Sequence, residues 1–118
     1  MAVQRLHIQK RYSEIAISGN LVHLAGQLAE DTQQDIEGQT QQTLALIDRL
    51  LADAGTDKSH IMSVMIFLKD IERDYAAMNQ VWDAWVADIQ TLPRTCVEAK
   101  LYHPDVLVEM TVVAVKPE

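Results

Sequence analysis

Three alternating side chains near the C-terminal end of this 118-residue chain have the types and spacing to recognise a small anion. Arg94, Cys96 and Glu98 stand two residues apart, and the two-residue period of a β-strand places them on one face. Arg94 directly follows Pro93, and its planar guanidinium matches the two oxygens of a small carboxylate. A weak salt bridge at the protein surface would account for the same arginine. Arg94 is therefore a candidate carboxylate-binding residue.

Glu109 is the second candidate, because it lies in an apolar run between Val108 and Met110. A carboxylate in such a run is costly unless it has a partner or a task. Burial raises the pKa of a carboxyl group toward values suited to proton transfer, so Glu109 is a candidate general base or acid on a bound water. A solvent-facing position on an edge strand is the alternative interpretation.

Cys96 is the only cysteine of the chain, which excludes an internal disulfide framework and any multi-cysteine metal site. No histidine stands beside it in the sequence to activate it as a nucleophile, so we predict that Cys96 is a packing residue. The four histidines show no metal-ligand spacing. The sequence therefore predicts no metal site and a reducing, cytoplasmic location.

The charge and hydropathy of the chain exclude further classes of function. Seventeen acidic residues stand against 10 Lys and Arg, for a formal net charge of -7, which argues against nucleic-acid and anionic-membrane partners. No run approaches the roughly 20 apolar residues of a transmembrane helix, and the N-terminus lacks the apolar centre of a signal peptide. We expect a single soluble domain over residues 1–118.

Hydrophobic periodicity predicts the first elements that must position these residues. Segments 14–18 and 21–25 alternate around a Gly-Asn pair, which is typical of a β-hairpin. Residues 36–54 carry apolar side chains at helical spacing, and Gly55 follows as a stop signal.

The second half of the chain continues the alternation of strands and helices. Residues 61–68 are so densely apolar that they predict a central strand. Asp74 is the predicted N-cap of a second helix that ends before Pro93. Segments 94–101 and 107–116 are then predicted as the closing strands.

The predicted order β-β-α-β-α-β-β indicates an α+β fold, with two helices packed on one face of a mostly antiparallel or mixed sheet. Two helices on one side cannot bury every apolar strand residue under this interpretation. The residues predicted to need a second cover are Val64, Ile66, Val108, Met110 and Val112. We therefore expect self-association into a closed symmetric oligomer.

Several motifs together resemble those of the RidA/YjgF/YER family of reactive-intermediate deaminases. In chain order they are Tyr12-Ser13, Gly26-Gln27, the strand from Val64 to Asp70, Met78-Asn79, Pro93-Arg94 with Val97, Val108-Glu109-Met110 and Ala114-Val115. Their order and spacing extend over nearly the whole chain, which makes the resemblance specific.

The resemblance implies a chorismate-mutase-like fold assembled as a homotrimer with a barrel-like core. It also implies clefts between subunits that bind small 2-imino or 2-keto acids and hydrolyse the imine to a 2-keto acid and ammonia, without a cofactor. In this family pattern Arg94 holds the substrate carboxylate and Glu109 orients or activates the water. The substrate-binding positions implied by the resemblance are Arg94, Cys96, Tyr12, Asn79 and Gly26, with Cys96 and Gly26 acting through their backbone.

Three departures from the family pattern lie at the rim of the implied cleft. Lys10-Arg11 precede Tyr12, Tyr102-His103 precede Pro104, and the segment 28–30 after Gly26-Gln27 lacks the usual proline. These changes indicate a divergent branch whose substrate can differ. A non-catalytic module that binds a keto acid and acts through a protein partner is the alternative function. A ribonuclease or translation inhibitor is a third interpretation, which the acidic charge disfavours.

Overall fold

The computed structural model describes residues 2–118 and contains six strands and two helices. The strands are β1 (Gln4–Ile8), β2 (Ser13–Ser18), β3 (Leu21–Gln27), β4 (Ile61–Leu68), β5 (Arg94–Glu98) and β6 (Val108–Val115). The helices are α1 (Ile36–Asp53) and α2 (Ile71–Trp85), and a single 3-10 turn, Lys58–His60, leads into β4. The predicted elements are confirmed to within a few residues, apart from β1.

The strand β1 is an addition to the predicted order. Only Leu6 among its five residues is partly buried, so the strand shows no burial pattern that the sequence would reveal. Its pairing is through the backbone, antiparallel to β2 at the edge of the sheet. An edge strand of this kind is specified by main-chain hydrogen bonding rather than by hydrophobic alternation.

The start of α2 corrects one sequence prediction. Asp70, not Asp74, is the N-cap, and its side chain accepts a hydrogen bond of 3.0 Å from the Arg73 backbone N–H. Asp74 lies inside the first turn, buried, where the Arg73 guanidinium donates two hydrogen bonds of 3.0 Å to its carboxylate. Both aspartates suit a helix N-terminus, and the extended backbone of Asp70 decides which one is the cap.

The sheet is mixed and has the strand order β1-β2-β3-β6-β4-β5. Only the pair β4 and β5 is parallel, and every other neighbouring pair is antiparallel. The strand β5 is therefore an edge strand, and the central strand β6 lies two positions away from it.

The helices α1 and α2 pack on one face of this sheet and bury its apolar side chains. The residues predicted to need a second cover lie on this helix face, buried in the single chain: Val64, Ile66, Val108, Met110 and Val112. The prediction that two helices cannot bury these residues is wrong, because residues two apart on a strand share one face. The two helices suffice for all five.

The opposite face of the sheet, called here the open face, carries a different set of side chains. Its central residues are Met65, Phe67, Glu109, Thr111, Val113 and Val115, as the register of β4 and β6 requires. These side chains are only partly buried, and no helix among residues 2–118 covers them. Nor is either helix of the described chain long and apolar enough to cross a membrane.

Candidate functional site

Arg94 begins the edge strand β5 and extends its side chain across to α2. Its Cα partner in β4 is Val64, whose side chain is buried under the helices, so Arg94 lies on the helix face. The Nη2 group donates hydrogen bonds to Asn79 Oδ1 at 2.7 Å and to the Tyr75 hydroxyl at 3.3 Å. Arg94 and Asn79, both candidate site residues, are therefore in direct contact within a single chain.

Two aromatic rings complete the surroundings of the guanidinium. The Cζ atom of Arg94 lies 5.2 Å from the Trp82 ring centroid and 5.8 Å from that of Tyr75. These distances allow cation–π attraction, which holds the charge without neutralising it. The sequence analysis does not single out Tyr75 or Trp82 as site residues. Tyr75, Asn79 and Trp82 are spaced four and three residues apart, which places them on one face of α2. That spacing indicates that the two aromatic residues lie beside Asn79.

The positive charge of Arg94 has no carboxylate partner among residues 2–118, since none of their ion pairs includes it. Its Nη1 atom is buried and has no hydrogen-bond partner there. An uncompensated guanidinium with unused donors is costly unless an anion joins it. The surface salt bridge that would also account for this arginine is therefore not formed among residues 2–118.

Cys96 lies two residues beyond Arg94 and faces the same way. Both residues line a groove together with Ile71, Glu72 and Tyr75. Burial raises the pKa of the Cys96 thiol, and the positive charge of Arg94 only partly opposes that effect. A thiol with a raised pKa stays protonated at neutral pH and is a poor nucleophile.

Glu109 lies on the open face, directly above Gly26. A β-bulge between Leu24 and Gln27 interrupts the pairing of β3 with β6 and brings Gly26 beneath the glutamate. A Cβ atom at Gly26 would overlap the Glu109 carboxylate and would come within 3.0 Å of its Cδ. Glycine is therefore the residue that leaves room for this side chain.

The carboxylate of Glu109 is half-buried and accepts no hydrogen bond from residues 2–118. Burial raises the pKa of Glu109 above the ordinary glutamate value. A carboxylate with a raised pKa and free lone pairs is suited to holding a water and accepting its proton.

Glu109 and Gly26 border a groove of about 820 Å³. Tyr12 and Glu14 lie on one side of it, and Tyr102 lines it from the loop before β6. Tyr12 therefore lies at the same groove as Glu109 and Gly26. The sequence marks Tyr102 only as a departure from the family pattern, and the structure places it in this groove as well.

The candidate residues thus form two half-sites on opposite faces of the sheet. The first, called the arginine half-site, contains Arg94, Cys96 and Asn79, and the second, the glutamate half-site, contains Glu109, Gly26 and Tyr12. Because β4 separates β5 from β6, the strands that carry Arg94 and Glu109 are two spacings, about 10 Å, apart. A single chain does not bring the two half-sites together.

Metal ligation finds no support in the described part of the chain. No group of three or more His, Cys, Asp or Glu residues within 2–118 is arranged to hold a metal ion.

Sequence comparison decides the family. A family model described as "Endoribonuclease L-PSP" matches residues 3–116, and a "RutC family protein" of Haemophilus influenzae is 44% identical over 115 residues, covering 97% of this chain and 98% of the relative. The chain belongs to the RidA/YjgF/YER family. The family that the sequence motifs indicated is confirmed.

Other family relatives range from close to more distant. YoaB of Escherichia coli, also named a RutC family protein, is 39% identical over 114 residues, covering 97% of this chain and 98% of that protein. A protein of Acinetobacter baylyi named "3-aminoacrylate deaminase RutC" is 33% identical over 101 residues, covering 80% of this chain and 79% of its own length.

Solved structures of the family confirm the predicted fold. A YjgF family protein from Neisseria meningitidis is 42% identical with a TM-score of 0.95, covering 100% of this chain and 98% of that chain. An uncharacterized protein from Pseudomonas aeruginosa is 43% identical with a TM-score of 0.93, covering 98% of this chain and 100% of that chain. The chain has the chorismate-mutase-like α+β fold of the RidA/YjgF/YER family.

Proposed function

We propose that this protein hydrolyses reactive 2-imino acids to 2-keto acids and ammonia. The observation that carries the proposal is the guanidinium of Arg94, which Asn79 and two aromatic rings hold in place without a carboxylate partner in the described chain. A planar substrate carboxylate is the anion that this fork matches. The name of the Acinetobacter baylyi relative, a 3-aminoacrylate deaminase, is consistent with deamination by this family.

We further propose that each complete site forms between two copies of the chain in a homotrimer. The arginine half-site lies at the β5 edge, and the glutamate half-site lies on the open face, so a neighbouring copy that covers the open face would bring them together. Met65, Phe67 and Val113 give that face its apolar centre, and covering it removes apolar area from water. The open faces of three copies would then line the barrel-like core.

The residues of the two half-sites supply what imine hydrolysis requires. Arg94 binds the substrate carboxylate, and the backbone N–H groups of Cys96 and Gly26 orient it. Glu109 accepts a proton from water as the water oxygen bonds to the C=N carbon. That proton passes to the imine nitrogen and gives a carbinolamine. The carbinolamine hydroxyl then loses its proton to the amino nitrogen through Glu109, the C=O bond forms as the C–N bond breaks, and the products are a 2-keto acid and ammonia. The reaction consumes one water and needs no cofactor.

The acidic lining of the groove argues against ribonuclease activity, despite the description of the family model. Glu14, Glu30 and Glu109 all line the groove, and Arg49 is the cationic side chain there. An RNA phosphate backbone needs a basic, aromatic-rich surface. We place the proposed deaminase in the cytoplasm, where the free thiol of Cys96 stays reduced.

The direct test is the rate of ammonia release from freshly generated 2-imino acids. We expect the protein to accelerate release well above the rate of imine hydrolysis in buffer alone. If 2-keto acids bind while release stays at the buffer rate, the keto-acid-binding module is the correct function. If neither binding nor hydrolysis is detected, both interpretations of the arginine half-site are wrong.

Mixing two inactive variants tests whether the site is shared between subunits. Arg94→Ala and Glu109→Gln each remove one half-site. When equal amounts of the two variants are mixed and reassembled, about a quarter of the interfaces should pair an intact arginine half-site with an intact glutamate half-site, so about a quarter of the wild-type activity should return. The measurement is ammonia release after partial unfolding and reassembly, with each variant treated alone as the control. Light scattering on the same samples reports the oligomeric state. Reassembled hybrid oligomers without recovered activity would show that the halves do not act across an interface.

Cys96→Ser is expected to retain most of the hydrolytic activity. The raised pKa of the thiol leaves it protonated, and the proposed role of this residue lies in its backbone N–H, which serine keeps. Steady-state kinetics of imine hydrolysis check this expectation. A loss of activity as large as that of Arg94→Ala would instead identify the thiol as a reacting group.

A further inference from the structure

The groove beside Glu109 extends to a set of side chains that the hydrolytic mechanism does not use. We propose that these side chains select 2-imino acids with a cationic side chain, such as those formed by oxidising basic amino acids. The inference rests on the proposed hydrolysis and assigns Glu14 as the residue that determines charge specificity.

The first support is the charge of the groove. Among the carboxylates that line it, Glu30 lies 3.7 Å from Arg49. Glu14 and Glu109 have no cation within 4.0 Å among residues 2–118. Two uncompensated carboxylates therefore remain, and the proposed mechanism uses only Glu109. Glu14 is left to attract a positively charged group of the ligand.

The second support is that Glu14 is held in place. The Gln27 side chain, 3% exposed, donates a hydrogen bond of 3.3 Å to Glu14 Oε1 and another of 3.0 Å to the Ala25 carbonyl. Glu14 lies on β2 and Glu109 on β6, with β3 between them, which separates their backbones by about 10 Å. A ligand with its imine carbon at Glu109 therefore needs a long side chain to reach Glu14.

The third support is the pair of aromatic side chains on the same groove. Tyr12 is 56% exposed and Tyr102 is 78% exposed, and both line the groove. Tyrosine rings beside carboxylates can bind a guanidinium or ammonium group through cation–π attraction. They also give the methylene stem of such a ligand an apolar surface.

The loop that carries Tyr102 is fixed by a buried amide. The Gln39 side chain donates to the Asp105 carbonyl at 2.9 Å and accepts from the Leu107 N–H at 2.9 Å. The same amide donates to the carbonyls of Thr32 and Gln34 at 3.1 Å. The part of the loop that begins three residues after Tyr102 is therefore fixed by these bonds, which limits the freedom of the loop and lowers the entropy cost of binding a ligand against it.

Imines from arginine and citrulline test the inference, because their side chains have the same length and differ in charge. Both imines are generated in place by an amino-acid oxidase, and kcat/KM is measured for each. We expect the wild type to favour the arginine-derived imine by about tenfold. Glu14→Gln should reduce that preference to near parity, since glutamine keeps the shape and loses the charge. Asp83→Asn, an equal change of net charge on the exposed side of α2, should keep it.

The salt dependence of the kcat/KM preference and the binding of the 2-keto acid products are two measurements that a folding defect of Glu14→Gln would not reproduce. The wild-type preference should shrink as salt increases, whereas the small preference of Glu14→Gln should not change. Equal kcat/KM for the two imines in wild type and Glu14→Gln would overturn the inference and leave the proposed hydrolysis intact. If neither imine is hydrolysed, the proposed function fails, and calorimetric binding of the guanidino and ureido 2-keto acids still decides charge selectivity.

Discussion

Glu109→Gln is expected to lower kcat for imine hydrolysis by about 100-fold or more while 2-keto acids still bind. Glutamine fills the same space above Gly26 but cannot accept a proton from water. Ammonia-release kinetics measure turnover, and calorimetric titration with 2-ketobutyrate measures binding. Glu37→Gln, an exposed acidic position in the first turn of α1, is the matched control and should leave both quantities near wild type.

The raised pKa of Glu109 also sets the direction of two pH effects. Hydrolysis should fall as the pH drops through this pKa, which lies above the ordinary glutamate range because the carboxyl group is half-buried. The free energy of unfolding changes with pH in the opposite direction. A carboxyl group whose pKa is raised by folding favours the folded state when it is protonated, and this contribution to stability is lost as the pH rises through the raised pKa. Glu109→Gln should therefore not lower Tm at neutral pH. Wild-type turnover in Glu109→Gln would exclude water activation by this carboxylate.

Arg94→Lys is expected to weaken 2-keto acid binding by roughly 1–3 kcal/mol, although the positive charge is kept. Lysine cannot form two parallel hydrogen bonds to a carboxylate, and it cannot keep the arrangement in which Asn79 fixes one guanidinium nitrogen while the others stay free. Calorimetric titration with 2-ketobutyrate measures the loss.

The control for Arg94→Lys is Arg73→Lys, in the first turn of α2. The Arg73 guanidinium is already bound by both oxygens of Asp74, so it has no free fork to offer a ligand. The affinity of this variant should stay near wild type. Equal affinity of Arg94→Lys and wild type would mean that Arg94 does not hold the carboxylate through a bidentate contact.

The sequence by itself determined the elements whose residues interact locally. Alternation over 61–68 located β4, and helical spacing from residue 36 located α1 together with its end before Gly55. The two-residue period also placed Arg94 and Cys96 on one face of a strand, as the register of β4 and β5 confirms. These features follow from short-range periodicity, which can be recognised within the segment that forms each element.

Only the tertiary structure decided how the candidate residues are arranged in space. Arg94 pairs with Val64 and Glu109 with Phe67, and these neighbours lie three residues apart on β4, so the two candidates point to opposite faces. Strand register is a non-local property, and a shift of one residue would have placed both on the same face. The same long-range pairing places Gly26 beneath Glu109. For this reason the sequence named the candidate residues of the site, while the fold showed that one chain holds them as two separate halves.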